Sequence, residues 1–305
     1  MNKKHVKKVL PWAMITCLSA CCLSAVPAYA DEKTTGYVVF GEDLSADQQK
    51  DLSDNYFKLQ ENRCDEYKYS YCTNEEEHEA FDSYLSSSVI GTRAVSSICL
   101  EPADEGDVIT IYTMNISYCT KEMYQNALIS AGVSDVDVYV AAPFEVSGTC
   151  ALLSAMNAYE LMTGENLDED AVDTAMDEIV TTGEVGEAIG DNDTAAELIA
   201  SLKQEIAEQG DDLTDEQLNS LIDQTAEDMG LSLDDQIKEQ ILELLKKINS
   251  LDIDVDTLKQ QAGDLYSKVS NLVENANIEI PEVDTEEAMG FLQRLIQAIL
   301  SLFGK

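Results

Sequence analysis

The chain has 305 residues, of which 59 are acidic and 19 are lysine or arginine, giving a formal net charge of −40 at pH 7. A field of that sign repels phosphate polymers. It excludes nucleic acid as a partner and disfavours anionic lipid headgroups and bare anionic wall polymers, while admitting weak surface binding of divalent cations. The length suffices for two average domains or one large one, so a sizeable core can be buried.

Residues 1–30 read as an export signal. Lys3, Lys4, Lys7 and Lys8 form a basic start, Val9 to Val26 is mostly apolar, and Ala28, Tyr29 and Ala30 make an A-x-A cleavage site before Asp31. The mature protein is therefore expected to begin at Asp31, to be secreted and to associate with the cell envelope. Two alternatives stay open. Pro11, Thr16, Ser19 and Ser24 interrupt the apolar run, so retention as an anchor is the weaker of them. Leu18, Ser19, Ala20 and Cys21 fit a bacterial lipobox, in which Cys21 is lipidated and tethers the chain.

Cys64, Cys72, Cys99, Cys119 and Cys150 remain after the leader, an odd number in a compartment that can be oxidising. At least one thiol is unpaired or shared between chains, and Cys64 with Cys72 is the candidate local bridge. No C-x-x-C occurs and His78 is the one histidine beyond the leader, which speaks against a Cys and His zinc site. No cofactor and no metal set is assigned.

Up to Gly164 the pattern is mixed. Strands are predicted over 37–40, 66–72, 93–100, 108–117 and 136–141, and helices over 46–59, 75–85, 120–131 and 149–162. The polar stretch 101–107 suggests a hairpin between the third and fourth strands. The last of these helices stops at Gly164. Residues 31–164 thus read as an α+β or α/β domain with a mixed sheet of about five strands.

Residues 165–274 read as an all-helical bundle. Thr194 with Glu197 and Thr214 with Gln217 fit capping boxes, and Asp284 with Glu287 is a looser version. Ile237, Ile241, Leu244, Leu245 and Ile248 form one apolar stripe, and Leu258, Ala262, Leu265, Val269 and Leu272 another. Residues 275–305 supply a linker around Pro281 and an amphipathic helix over 285–303, which either packs into the bundle or lies on a membrane surface.

Four ordered motifs carry a family resemblance. They are Ile90-Gly91-Thr92-Arg93-Ala94-Val95-Ser96-Ser97; Thr113-Met114-Asn115-Ile116; Thr120, Met123, Tyr124, Asn126, Ala127, Leu128, Ala131 and Gly132; and Val140-Ala141-Ala142-Pro143 with Val146-Ser147-Gly148-Thr149. Together they resemble the YpuA-like family of secreted proteins of Gram-positive bacteria, defined by domain of unknown function 1002. The resemblance spans roughly residues 36–210. It implies an exported, envelope-associated protein and supplies no activity and no catalytic residues. Cys150 stands where a small apolar residue is expected and Cys119 where an aliphatic one is; both substitutions suit buried, inert thiols.

Two motifs suggest a pocket. The strand ending at Ala142 is followed by a turn over 143–146, and Ser147, Gly148 and Thr149 open a helix whose free N–H groups would cradle an anion. Arg93, beside Thr92, would clamp a carboxylate or phosphate if its strand neighbours that one. The bland alternative makes Ser147 or Thr149 a helix cap and pairs Arg93 with a nearby carboxylate.

Enzyme readings find less support. His78 sits among Glu75, Glu76, Glu77 and Glu79 and reads as solvated, so no Ser-His or Cys-His site is assigned. A two-carboxylate hydrolase lacks tryptophan for sugar stacking once Trp12 leaves with the leader. Asp252, Asp254 and Asp256 begin like a calcium loop, but Thr257 and Gly263 stand where glycine and glutamate are needed. The sequence therefore predicts a non-enzymatic binding or interaction protein at the envelope. A carboxylate-dependent envelope hydrolase and a membrane-surface protein held by its last helix are the alternatives.

Overall fold

Five strands form one sheet: β1 (Gly36–Gly41), β2 (Tyr67–Cys72), β3 (Ser97–Pro102), β4 (Thr110–Ile116) and β5 (Val136–Val146), in the order β2-β1-β3-β5-β4. The computed structural model describes residues 36–59, 67–104, 109–164, 166–209 and 213–251. β1 runs parallel to β2 and antiparallel to β3, while β5 runs antiparallel to β3 and parallel to β4. The continuous apolar runs of β1 and β3 occupy the interior, and the more polar β2 and β4 take the edges. This is the mixed five-stranded sheet expected from the sequence.

The predicted hairpin is not formed. β5 lies between β3 and β4, because Val136, Val138 and Val140 are at most 1% exposed and gain most from the interior place. β4, half-exposed along its length, is left at the edge. β5 also runs on to Val146 rather than turning at Pro143. Pairing passes from Met114↔Ala141 to Ile116↔Val146, and between them Asn115, at φ 58, donates its side-chain amide to the Ala142 carbonyl at 2.8 Å. Pro143 costs no ladder bond to β3, whose pairing ends at Ala141.

In the mixed part, α1 (Ala46–Asp51) continues into a π-helical turn over Leu52–Tyr56, and α2 (Asn74–Phe81) and α3 (Ser87–Ile90) precede β3. α4 (Lys121–Ser130) and α5 (Thr149–Thr163) follow, and α5 lies across β1 and β3 before Gly164, at φ 76, ends it as predicted. Then come α6 (Glu169–Ile189), α7 (Asn192–Gln209), α8 (Asp215–Asp228) and α9 (Asp235–Ile248). The Thr214–Gln217 capping box forms at α8. Thr194 instead lies inside α7, where Asp191 accepts its N–H at 2.7 Å and takes the capping role. The Ile237-to-Ile248 stripe of α9 is buried against Leu198, Leu202, Leu218 and Ile222. The stripe over 258–272, the calcium-like run, the Asp284–Glu287 pair and the helix over 285–303 lie outside the described residues.

The helices after Gly164 are fastened to the mixed part through α4, which packs on α6 and α7. Inside that seam Lys203 of α7 reaches Glu178 of α6 at 3.0 Å, with side chains 0% and 1% exposed. Its Nζ also donates to the Asn126 carbonyl of α4 at 2.8 Å, and Ser130 donates to Glu178. Burial lowers the Lys203 pKa, and Glu178 opposes that loss. Removing one member leaves an uncompensated buried charge. Lys203→Met is expected to cost about 3–5 kcal/mol, read as a lower urea midpoint; a change within about 0.5 kcal/mol, the range of ordinary surface substitutions, contradicts this role.

Candidate functional site

The most unusual polar group of the mixed part is Glu77. Thr73 and Glu76 cap α2 reciprocally, which fixes the helix phase so that Glu77 and Phe81 share its inward face, 2% and 0% exposed. α2 packs on α5, and the Glu77 carboxyl arrives at the first turn of that helix. Thr149 Oγ1 donates to it at 2.5 Å, Asn74 Nδ2 donates at 3.2 Å, and the Cys150 backbone N–H donates as well. The dipole and N–H groups of α5 therefore face an internal carboxyl. Burial pushes the Glu77 pKa up and these donors pull against it. Among the described residues no lysine or arginine pairs with it.

The free cradle expected from Ser147, Gly148 and Thr149 is thus filled by the chain itself. Thr149 is fully buried and serves Glu77, and the Ala151 N–H donates to Ser96 Oγ at 3.1 Å. The helix cap is Gly148, without a side-chain bond. Its φ of 98° needs glycine, and an added Cβ would lie 2.6 Å from Ile116 and from the Tyr124 hydroxyl.

Above this carboxyl lies a cleft of about 230 Å³, lined by Glu77, Val89, Gly91, Thr92, Arg93, Val95, Ser96, Phe144, Val146, Ser147 and Cys150 among others. Thr92, Arg93 and Ser147 meet here as the sequence suggested, because the segment holding Arg93 leads into β3 and Ser97 pairs with Ala141 of β5. Arg93 is exposed, with its guanidinium 5.6 Å from the Phe144 ring centre. No carboxylate of the described residues lies within ion-pair distance of it, so the predicted alternative of an ion-paired arginine is replaced by stacking. Gly148 and Thr149, also expected to touch a ligand, are not among the residues that line the cleft.

His78 is not a purely solvated residue of a charged helix. Its Nδ1 faces Asp82 Oδ1 at 2.7 Å and its Nε2 faces the Gly91 carbonyl at 2.8 Å, which ties α2 to the cleft rim. Both partners are acceptors, so the imidazolium alone satisfies both, and Asp82 and Gly91 raise the ring's pKa.

Cys72, Cys99, Cys119 and Cys150 are free and buried. Cys72 hydrogen-bonds with Cys150, and Cys64, its suggested bridge partner, lies outside the described residues. Burial pushes the Cys119 thiol up, and the contact with Cys72 together with burial does the same for Cys150, so both favour the protonated, unreactive form. Ala30 and Asp31 also lie outside the described residues.

Sequence reasoning passed over Glu77 because it sits in an acidic run. The readable signal was its spacing of four from Phe81 behind the Thr73–Glu76 box. A larger cleft of about 940 Å³ opens between α4, α6 and α9, but two of its acidic residues already have partners: Asp168 caps α6, and Asp173 accepts from Tyr84 and Lys247. None of the predicted ligand residues lines it.

The His78 bonds set a pH dependence. A folded pKa above the ordinary 6.5 means that the stability contributed is complete below that value and is lost as pH rises through the raised one. The melting temperature is expected to fall with rising pH over that window, with a shallower slope in His78→Ala. Equal slopes in the two proteins contradict the bonding.

The comparisons with known proteins agree with one another. The family model described as "Protein of unknown function (DUF1002)" matches residues 40–265. The uncharacterized protein YpuA of Bacillus subtilis (strain 168) is 38% identical over 267 residues, covering 87% of this chain and 86% of that protein. No solved structure matches the chain. With the family model spanning most of the sheet and the described helices, the chain belongs to the DUF1002 family.

Proposed function

We propose that this protein is exported and acts at the cell envelope as a binding protein without chemistry of its own, with the cleft above Glu77 as its ligand site. The observation that carries the reading is the convergence of Arg93, Thr92 and Ser147, from two separate segments, on one cavity floored by a buried carboxyl. Concave sites with a few fixed polar groups on an apolar lining are the usual form of small-molecule sites. Val89, Val95 and Val146 supply that lining here. Export is supported by the basic start, apolar run and A-x-A site of residues 1–30. Glu77 is the one acidic residue lining the cleft among the described residues, whereas two-carboxylate hydrolysis needs a pair across one site.

The test is a melting-temperature survey of the purified protein against small carboxylates, phosphates, amines, amino acids, divalent cations and soluble wall fragments. A ligand at about a hundred times its dissociation constant adds roughly 2.7 kcal/mol. At least one compound is expected to stabilise the native protein and to lose its effect in Thr92→Trp, which fills the cleft, and in Arg93→Ala. Responses that persist unchanged in both variants overturn the assignment of the cleft, as does a survey without any response.

A further inference from the structure

The two charged groups of the cleft want opposite things. Arg93 holds a permanent positive charge at the rim, stacked on Phe144 and without a carboxylate partner among the described residues. Glu77 is 2% exposed on the floor; the hydrogen bonds to its carboxyl among the described residues come from a hydroxyl, an amide and a backbone N–H, all neutral donors, and His78 acts on it only through space. A buried carboxyl is ordinarily matched by a cation. The same fold does this at Glu178, which Lys203 meets at 3.0 Å. Glu77 and Arg93 do not pair with each other although they line one cavity.

We infer that the cleft takes a small zwitterion, an α-amino acid or the equivalent end of a short peptide, with its ammonium group on Glu77, its carboxylate on Arg93 and its apolar body against Val95 and Val146. This rests on the reading of the cleft as a ligand site and names its ligand class. The ammonium supplies the directly bonded cation that Glu77 lacks, and its N–H groups donate to an oxygen already fixed by Thr149. The guanidinium fork matches a carboxylate in two parallel bonds, and its stacking on Phe144 limits the freedom lost on binding. A cavity of about 230 Å³ suits a ligand of this size and leaves little room for a longer chain except through the mouth. Neither charge works alone: a simple carboxylate leaves Glu77 uncompensated, and a simple amine leaves Arg93 solvated.

Four probes separate the possibilities by amide-resolved NMR titration of the purified protein: glycine, alanine, propionate and ethylamine. Glycine and alanine are expected to shift the amides of residues 91–96 and 147–151, with propionate and ethylamine at least about tenfold weaker, since each lost charge-assisted bond is worth more than 1.4 kcal/mol. Glu77→Gln and Arg93→Ala are each expected to weaken alanine about tenfold or more. Arg93 is exposed, so its variant stands as a test even if Glu77→Gln fails to fold. Propionate binding as tightly as alanine, with dependence on Arg93 alone, overturns the zwitterion and leaves the cleft as an anion site. Ethylamine binding as tightly, with dependence on Glu77 alone, overturns it in favour of a cation site. No shift with any of the four also overturns it, and the broader survey with Thr92→Trp then decides separately whether the cleft binds anything.

Discussion

One carboxyl group ties α2 to the helix that lies across the sheet. Glu77 comes from α2, the Thr149 hydroxyl and Cys150 N–H that bind it belong to the first turn of α5, and Asn74 adds a donor from its own helix. Because α5 lies across β1 and β3, the position of this carboxyl fixes how α2 meets the central layer. The loop from α3 to β3 is then held against α2 by the His78 bond to Gly91. The cleft is the space left between these parts. Its existence follows from placing a carboxyl, rather than an apolar side chain, over a helix N-terminus.

The protein handles buried charge in two different ways. In the seam between α4, α6 and α7, Glu178 and Lys203 satisfy one another and a shell of amide and hydroxyl groups. That arrangement is closed, and its contribution is to the fit of three helices. At Glu77 no lysine or arginine among the described residues supplies a countercharge, His78 acts on it only through space, and the group borders a cavity. A buried carboxyl with a raised pKa beside a cleft carries a free-energy cost that a ligand can relieve, and this difference is why the ligand site is proposed at Glu77 and not at Glu178.

Much of this fold was legible because its signals are local. The strand segments, the α5 stop at Gly164, the Thr214–Gln217 cap and the Ile237-to-Ile248 stripe all follow from residues within a turn or two of one another. Strand order was not legible. A polar turn between β3 and β4 looks like a hairpin until β5, with three nearly unexposed valines, claims the place between them. The candidate cleft was half legible: Thr92, Arg93 and Ser147, which line it, lie in small-residue motifs at strand ends. Glu77 was hidden among Glu75, Glu76 and Glu79, whose charges are the same and whose helix phase is not. The N-terminal groups of α5 read as free because nothing local in the sequence reveals an acceptor 72 residues away in the chain.

The central claim is that Glu77 is a buried carboxyl held over α5, distinct from its acidic neighbours. The direct measurement is the carboxyl ¹³C chemical shift of each glutamate across pH in the ligand-free protein. The account predicts that Glu77 titrates above the ordinary value of 4.5 and that Thr149→Val moves its midpoint further up by removing a donor that favours the charged form. A Glu77 midpoint at 4.5 or below, unchanged in Thr149→Val, contradicts it.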